Sequence, residues 1–212
     1  MNNQPPPTKT ATDRHQRADG RRSRDAILDT AARLATVDGL EGLSIGNLAG
    51  HTGMSKSGLY AHFKSKEELQ LATIDRATEI FEDEVLKPAR SKGDGLRLLW
   101  ALCDEFLSHL ERDVFPGGCF FAAVGAEFDT HPGRVKERIV TFTEDWGREL
   151  LGAATRAQQA GQVADDPEPQ QLVFEINAML LMGHASYTMF RDPSLLERAR
   201  RGLERLLGPR PN

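Results

Sequence analysis

The feature that most constrains the fold is a pair of short helical patterns separated by a turn that contains a glycine. Ile45 and Leu48 share one helical face in the first pattern, and Leu59 and Phe63 lie four residues apart in the second. Gly53 lies between them and can adopt the positive φ that a tight turn between helices requires. Two short helices joined in this way predict a helix-turn-helix unit.

Helical patterns continue on both sides of this unit. Apolar residues recur at steps of three and four before it, and Ser65 followed by Glu68 predicts a capping-box start for a long helix that ends at Pro88. At least five further amphipathic segments follow. We therefore predict an all-α fold with a disordered basic arm at residues 1–20, a three-helix helix-turn-helix domain at 21–66 and a C-terminal helical domain at 67–212.

Composition excludes several classes of protein. No run of about 18 apolar residues is present to span a bilayer, and the proline-rich, charged N-terminus lacks the apolar stretch of a secretory signal. We expect a cytoplasmic protein without a membrane partner.

The chain also lacks the usual spacings of catalytic and metal-binding residues. Its two cysteines, Cys103 and Cys119, form no CxxC, and no HExxH, GxSxG or Glu-x-x-His pattern occurs. Those spacings supply the ligands of zinc and di-iron sites or the nucleophile of hydrolases. We predict no enzyme activity, no metal site and no cofactor.

Charge is distributed unevenly along the chain. Residues 1–66 hold ten Lys and Arg against six Asp and Glu, whereas residues 67–212 hold seventeen against twenty-five. A polyanion such as nucleic acid is therefore attracted to the first third and repelled by the rest. An uneven but merely solvated surface explains the same numbers, so charge alone does not decide the function.

One longer segment has a specific resemblance. The sequence LSIGNLAGHTGMSKSGLYAHFKSKEEL resembles the DNA-binding segment of the TetR/AcrR (tetracycline-repressor) family of bacterial transcriptional regulators. The resemblance covers about residues 22–70, and its most specific part is the string Leu-Tyr-x-His-Phe-x-x-Lys, formed here by Leu59, Tyr60, His62, Phe63 and Lys66.

This resemblance implies which side chains contact double-stranded operator DNA. Lys56, Ser57 and Gly58 occupy base-reading positions. The positions that hold phosphates are those of Ser44, Tyr60, His62 and Lys66. Gly46 departs from the family pattern, which often has a polar or basic side chain there, so the first helix of the motif is expected to make fewer base contacts.

The resemblance further implies a homodimer that binds a pseudo-palindromic operator, with the last two helices of each chain forming a four-helix bundle. It implies a repressor, associated with the bacterial nucleoid while bound to DNA, that a small-molecule effector releases. The effector is expected in the C-terminal domain, where the candidate pocket residues are Trp100, Phe106, Phe120, Phe142, Trp146, Met179, His184 and Tyr187.

Two alternatives stay open from the sequence. Cys119 follows two glycines at a predicted helix start, where a lowered thiol pKa would make the protein a redox or electrophile sensor. Phe120 and Phe121 beside it favour a buried, inert cysteine instead. A non-specific architectural protein that coats DNA shares the basic head and differs in its lack of sequence preference.

Overall fold

The described part of the molecule is built from helices. The structure is a computed structural model that describes the backbone of residues 11–211 and the side chains of residues 20–211. Its helices are α1 Ala11–Asp38, α2 Ile45–Thr52, α3 Lys56–His62, α4 Lys66–Phe81, α5 Lys87–Arg90, α6 Leu96–Glu111, α7 Phe120–Phe128, α8 Arg134–Gln159, α9 Pro169–Phe190 and α10 Ser194–Leu207. No strand occurs in this range, which confirms the predicted all-α fold. None of these helices combines the length and the hydropathy that crossing a bilayer demands.

Helix α1 begins earlier than its sequence pattern indicates. We expected a disordered arm over residues 1–20, yet α1 starts at Ala11, so the second half of that arm is helical. Pro7 is the last proline before α1, and the Ala, Arg and Gln residues that follow it are strong helix formers. Residues 1–10 of the predicted arm lie outside the described residues.

Helices α1, α2 and α3 pack around a small apolar core, and we call these three helices the head. Ala31, Leu48, Leu59 and Phe63 are completely buried in that core. Gly39 follows the last residue of α1 with a φ of +79°, the left-handed conformation in which a glycine commonly ends a helix. Helix α4 packs against α1 and connects the head to the rest of the chain.

The long helix that follows continues past Pro88, where we expected it to end. Helix α4 passes through the π-helical turn Glu82–Leu86 into α5, which contains the proline. Pro88 has no N–H to donate to the carbonyl of Glu84, four residues earlier, and that carbonyl instead accepts a hydrogen bond from Nη2 of Arg112 at 3.2 Å. The wider π turn and this substitute donor explain why the proline does not terminate the helix.

The C-terminal domain has a core formed by α4, α6, α8 and α9. Leu99, Leu107 and Leu150 are completely buried in it. Helix α10 packs on α9, while α7 lies between α8 and α1 of the head. Helix α7 is therefore in contact with both domains.

Candidate nucleic-acid interface and ligand cavity

Helix α3 is fixed by one capping hydrogen bond and two buried side chains. Ser55 Oγ accepts a hydrogen bond from the backbone N–H of Gly58 at 3.1 Å, and Leu59 and Phe63 are completely buried on the inner side. The turn before α3 passes through Gly53 with a φ of +67°, a conformation that favours glycine. The opposite face of α3, which we call its outer face, is presented to solvent.

The outer face carries the predicted base-reading residues together with Tyr60. Lys56 and Ser57 are exposed and Gly58 is half-buried, while 57% of Tyr60 is exposed. A Cβ added to Gly46 of α2 would lie 3.8 Å from Nζ of Lys56, so the lysine lies directly beside this glycine. Small residues at this end leave space for a close approach to base edges.

Two of the predicted phosphate donors, Ser44 and Lys66, already have hydrogen-bond partners. Ser44 Oγ accepts from the N–H of Asn47 at 3.1 Å and caps α2. Lys66 Nζ donates to Glu41 at 2.7 Å, and both side chains are exposed. The hydrogen bond from Lys66 is the main reason that the pKa of the Glu41 carboxyl lies below its usual value. Because exposed ion pairs contribute little to stability, Lys66 can exchange Glu41 for another anion at small cost.

Arg24 is a residue of the head that the sequence did not single out. Its Nη1 donates to the carbonyl of His62 at 2.8 Å, and its guanidinium carbon lies 4.5 Å from the centroid of the Phe63 ring. Arg24 therefore ties α1 to the end of α3. In the sequence it is one arginine among several in a basic segment, and no local spacing distinguishes it.

The head and the C-terminal domain meet at the carboxylate of Glu127, near the end of α7. Its Oε2 accepts from the N–H of Leu40 at 2.8 Å, and its Oε1 accepts from the N–H of Glu41 at 2.6 Å. Gln70 Nε2 of α4 donates to the carbonyl of Leu40 at 3.0 Å and to the carboxylate of Glu41 at 3.2 Å. We call Leu40, Glu41, Gln70 and Glu127 the junction cluster. It connects α7 and α4 with the turn between α1 and α2.

A cavity of about 350 Å³ opens in the C-terminal domain. Three of the predicted effector residues, Phe106, Phe142 and Trp146, form part of its wall. The remainder of the wall is formed by Phe81, Cys119, Phe121, Ala122, Gly125, Ala126, Thr143 and Leu181. None of these described wall residues carries a charge. The volume lies in the lower part of the range of small-molecule sites.

Five other predicted effector residues do not line this cavity: Trp100, Phe120, Met179, His184 and Tyr187. The ring of Trp100 lies under the guanidinium of Arg210, 4.8 Å from its carbon. His184 Nε2 bonds to the carbonyl of Gly117 at 3.3 Å. Helical spacing identifies such residues as inward-facing, but it does not distinguish packed core from cavity wall.

Cys119 does not have the environment that a redox sensor needs. Its side chain is buried, and burial raises the pKa of its thiol to about 11, which outweighs the lowering effect of the N–H groups of Ala122 and Phe121. The sensor hypothesis requires a lowered pKa, because the thiolate is the reactive form. The structure therefore contradicts the premise of that alternative.

Helix α9 carries an apolar stripe on its outer surface. Phe174, Leu181, Met182 and Met189 are all more than half exposed, and their spacing of seven or eight residues places them on one side of the helix. An open groove of about 410 Å³ with mostly apolar walls runs between α9 and α10 beside this stripe. Exposed apolar patches of this kind mark interaction surfaces.

Both domains of the chain match known sequence families. Residues 27–73 match the family described as bacterial regulatory proteins, tetR family, and residues 95–203 match the tetracyclin repressor-like C-terminal domain. The chain belongs to the TetR family of transcriptional regulators. As a TetR-family protein it is a DNA-binding transcription factor and not an enzyme, with a helix-turn-helix domain and a ligand-binding C-terminal domain.

Solved TetR-family structures share this architecture over most of their length. A TetR transcriptional regulator from Chloroflexus aurantiacus J-10-FL superimposes with a TM-score of 0.80 at 25% identity, covering 88% of this chain and 94% of that one. AibR, solved in complex with isovaleryl coenzyme A and operator DNA, gives a TM-score of 0.71 at 25% identity, covering 88% of this chain and 98% of AibR.

A sequence relative of this TetR-family protein covers a smaller region. The HTH-type transcriptional activator FasR of Mycolicibacterium smegmatis is 30% identical over 90 residues. That match spans 42% of this chain and 41% of FasR, less than half of either protein.

Proposed function

We propose that this TetR-family protein is a one-component regulator that binds a pseudo-palindromic operator as a homodimer and represses transcription until a small-molecule effector releases it. The observation that carries the proposal is that the outer face of α3 is presented to solvent. The burial of Leu59 and Phe63 on the opposite side of the helix fixes this orientation. A helix presented in this way fits the major groove, which is about 12 Å wide. The protein then works in the bacterial cytoplasm and is associated with the nucleoid while it is bound to DNA.

The start of α3 reads the base edges in this proposal. Lys56 donates to O6 or N7 of a guanine, Ser57 contacts a neighbouring base, and Gly58 lets the backbone come close. Four side chains hold phosphates and fix the register of the protein on the duplex: Ser44, Tyr60, His62 and Lys66. Lys66 reaches its phosphate by leaving Glu41, which exchanges one exposed ion pair for another.

The apolar stripe of α9 supports dimerisation through the last two helices. Two such stripes, each flanked by α10, would form a four-helix bundle and bury side chains that are exposed in the single chain. Gly183 of α9 does not belong to this stripe, because a Cβ there would lie 3.1 Å from Cβ of Ala199 in α10 of the same chain. Its small size serves the packing of α9 on α10 within one chain.

The position of the cavity supports release by an effector. Phe81 is the last residue of α4, whose first turn lies beside the head, and Phe121 belongs to α7, whose Glu127 holds the turn between α1 and α2. A ligand that changes the separation of α4 and α7 would move the junction cluster and, through it, the spacing of the two heads. The ligand can do so only by binding one arrangement of the dimer more tightly than the other.

Two comparisons bear on this regulation. AibR was solved in complex with both isovaleryl coenzyme A and operator DNA, which supports a fold that can bind a small molecule and DNA but carries no argument for release. FasR is named as an activator, which favours activation as a second candidate function. Transcription in vitro from a promoter that contains the operator distinguishes the two, since a repressor lowers transcript yield as protein is added and an activator raises it.

Selection of bound duplexes from a random pool tests the proposal. We expect one enriched sequence with twofold symmetry and half-site centres separated by about 34 Å or a multiple of it. In competition at physiological salt the operator should be preferred over random duplex by about a thousandfold or more. Equal affinity for all duplexes would contradict a regulator and favour the architectural protein that coats DNA.

A further inference from the structure

The rings around the cavity have a distinctive arrangement. Phe81 meets Phe142 at 5.1 Å between centroids and 86° between planes, and it meets Trp146 at 5.4 Å and 89°. Phe121 lies parallel to Phe142, with 6° between their planes. The wall therefore consists largely of aromatic rings that pack against one another, four phenylalanines and one tryptophan. Such surfaces favour a further aromatic ring, because offset stacking and edge-to-face contacts stabilise aromatic pairs beyond the burial of area.

The polar atoms of the wall side chains are mostly occupied. Trp146 Nε1 donates to Oδ1 of Asn177 at 2.9 Å, and Thr143 Oγ1 donates to the carbonyl of Ile139 at 3.0 Å. Cys119 adds a thiol, which is a weak donor and a weak acceptor. Few strong hydrogen bonds are thus offered to a ligand by these side chains.

Charged groups behind the wall are paired with one another. Arg90, in a second depression on the other side of Phe142 and Trp146, forms ion pairs with Glu149 at 2.9 Å and with Glu82 at 2.7 Å. His109 lies against Phe81, 6.1 Å between ring centroids, and it is neutral at pH 7 because burial lowers its pKa to about 4. A ligand anion would therefore find no cation among the wall residues to replace the hydration that it loses on entry, which is unfavourable.

We propose that this cavity takes an uncharged, planar, mostly apolar aromatic molecule of about two or three rings. Only the identification of this molecule as the effector rests on the proposed function. The binding site itself is defined by the cavity wall and does not depend on DNA.

Two fluorescent probes that differ in one charge test the ligand class. N-phenyl-1-naphthylamine and 8-anilinonaphthalene-1-sulfonate share the same rings and linking nitrogen, and the second adds a sulfonate. Each is titrated into the full chain and followed by probe fluorescence. We expect one neutral probe per chain, bound at least about tenfold more tightly than the sulfonate, which corresponds to about 1.4 kcal/mol.

Two glycine substitutions locate the probe. Gly125 lies in the cavity wall, and a Cβ there meets nothing within 4 Å, so the first atom of the leucine side chain in Gly125→Leu has room. Gly147 of α8 is equally open at its Cβ but lies outside the wall, so Gly147→Leu is the matched control. We expect Gly125→Leu to weaken the neutral probe at least about tenfold, and Gly147→Leu to change it less than about twofold. Ala126→Met, also in the wall, provides a second filling variant if Gly125→Leu loses helix content.

Several results would overturn the inference. They are equal or tighter binding of the sulfonate, no binding of the neutral probe, or unchanged binding in both filling variants. Salt-dependent operator binding by the unliganded protein is measured in parallel. If operator binding holds while the probe results fail, the ligand class is wrong and the proposed regulator stands.

Discussion

Removal of the Glu127 carboxylate tests how the two domains are connected. Its two oxygens accept the N–H groups of Leu40 and Glu41 at 2.8 Å and 2.6 Å. A hydrogen bond to a charged group contributes about 1.5–3 kcal/mol net. Because Glu127 is half-buried and Glu41 is exposed, solvent screens the second bond. We therefore expect Glu127→Ala to destabilise the closed turn between α1 and α2 by about 2 kcal/mol.

Hydrogen exchange at the amides of Leu40 and Glu41 measures this loss directly, because local opening of the turn exposes these two groups. A change of about 2 kcal/mol corresponds to exchange that is about thirtyfold faster. Glu127→Gln keeps one acceptor oxygen but turns an NH₂ group toward one of the two backbone N–H groups. We therefore expect this variant to lose more than half of the protection from hydrogen exchange at Leu40 and Glu41.

The exposed carboxylate of Glu137, in the first turn of α8, provides a control. Glu137→Ala removes the same charge and the same side chain, and it should leave exchange in the turn unchanged while costing at most about 0.5 kcal/mol of helix stability. Unaltered exchange at Leu40 and Glu41 in Glu127→Ala would refute the assignment of Glu127 as the connection between domains.

Three further predictions address the dimer, the core and the DNA contacts. Met182→Asp places a charge in the apolar stripe of α9, so sedimentation should show mostly monomer. Val140→Asp, at an exposed position of α8, is the control and should remain dimeric. If Met182→Asp is still a dimer, the interface does not include the stripe. Burial lowers the pKa of His109 to about 4, so its contribution to stability is complete above pH 6.5 and falls by roughly 3 kcal/mol as the pH drops to 4. His109→Phe should remove that part of the acid sensitivity in urea unfolding, and an identical pH dependence in the variant would contradict it. Lys66→Ala should weaken the affinity for all duplexes alike and lower the slope of log affinity against log salt concentration by about 1. Lys56→Ala should instead reduce the preference for one base pair by about 1–3 kcal/mol. The reverse pattern would show that Lys66 reads a base and Lys56 holds a phosphate.

Local signals made the short helices of the head and the start of α4 predictable from the sequence. Ser44, Ser55 and Ser65 each cap a helix through a backbone N–H three residues later, at 3.1 Å in every case. The capping box at Ser65 is only partly as predicted, because Glu68 accepts from the N–H of Lys64 and not from that of Ser65. Each of these hydrogen bonds joins residues three or four positions apart, so a short sequence pattern is enough to predict a helix cap.

Long-range contacts account for what the sequence did not reveal. Pro88 stays helical because Arg112, the residue that follows α6, donates to the carbonyl that the proline leaves without its usual donor. Glu127 is separated from its partners in the head by more than eighty residues, and nothing near it in sequence indicates the contact. The wall of the cavity likewise depends on how five helices pack, so periodicity identified Phe106 but also Trp100, which lies outside it.

The decisive experiment is the operator affinity of Ser57→Glu compared with the unsubstituted chain. Ser57 is exposed on the outer face of α3, so the substitution should leave helix content unchanged while it brings a negative charge against the DNA. Like charges at an interface cost several kcal/mol, so we predict a loss of at least about a hundredfold in affinity. Unchanged operator binding by a folded Ser57→Glu would show that the outer face of α3 does not contact DNA.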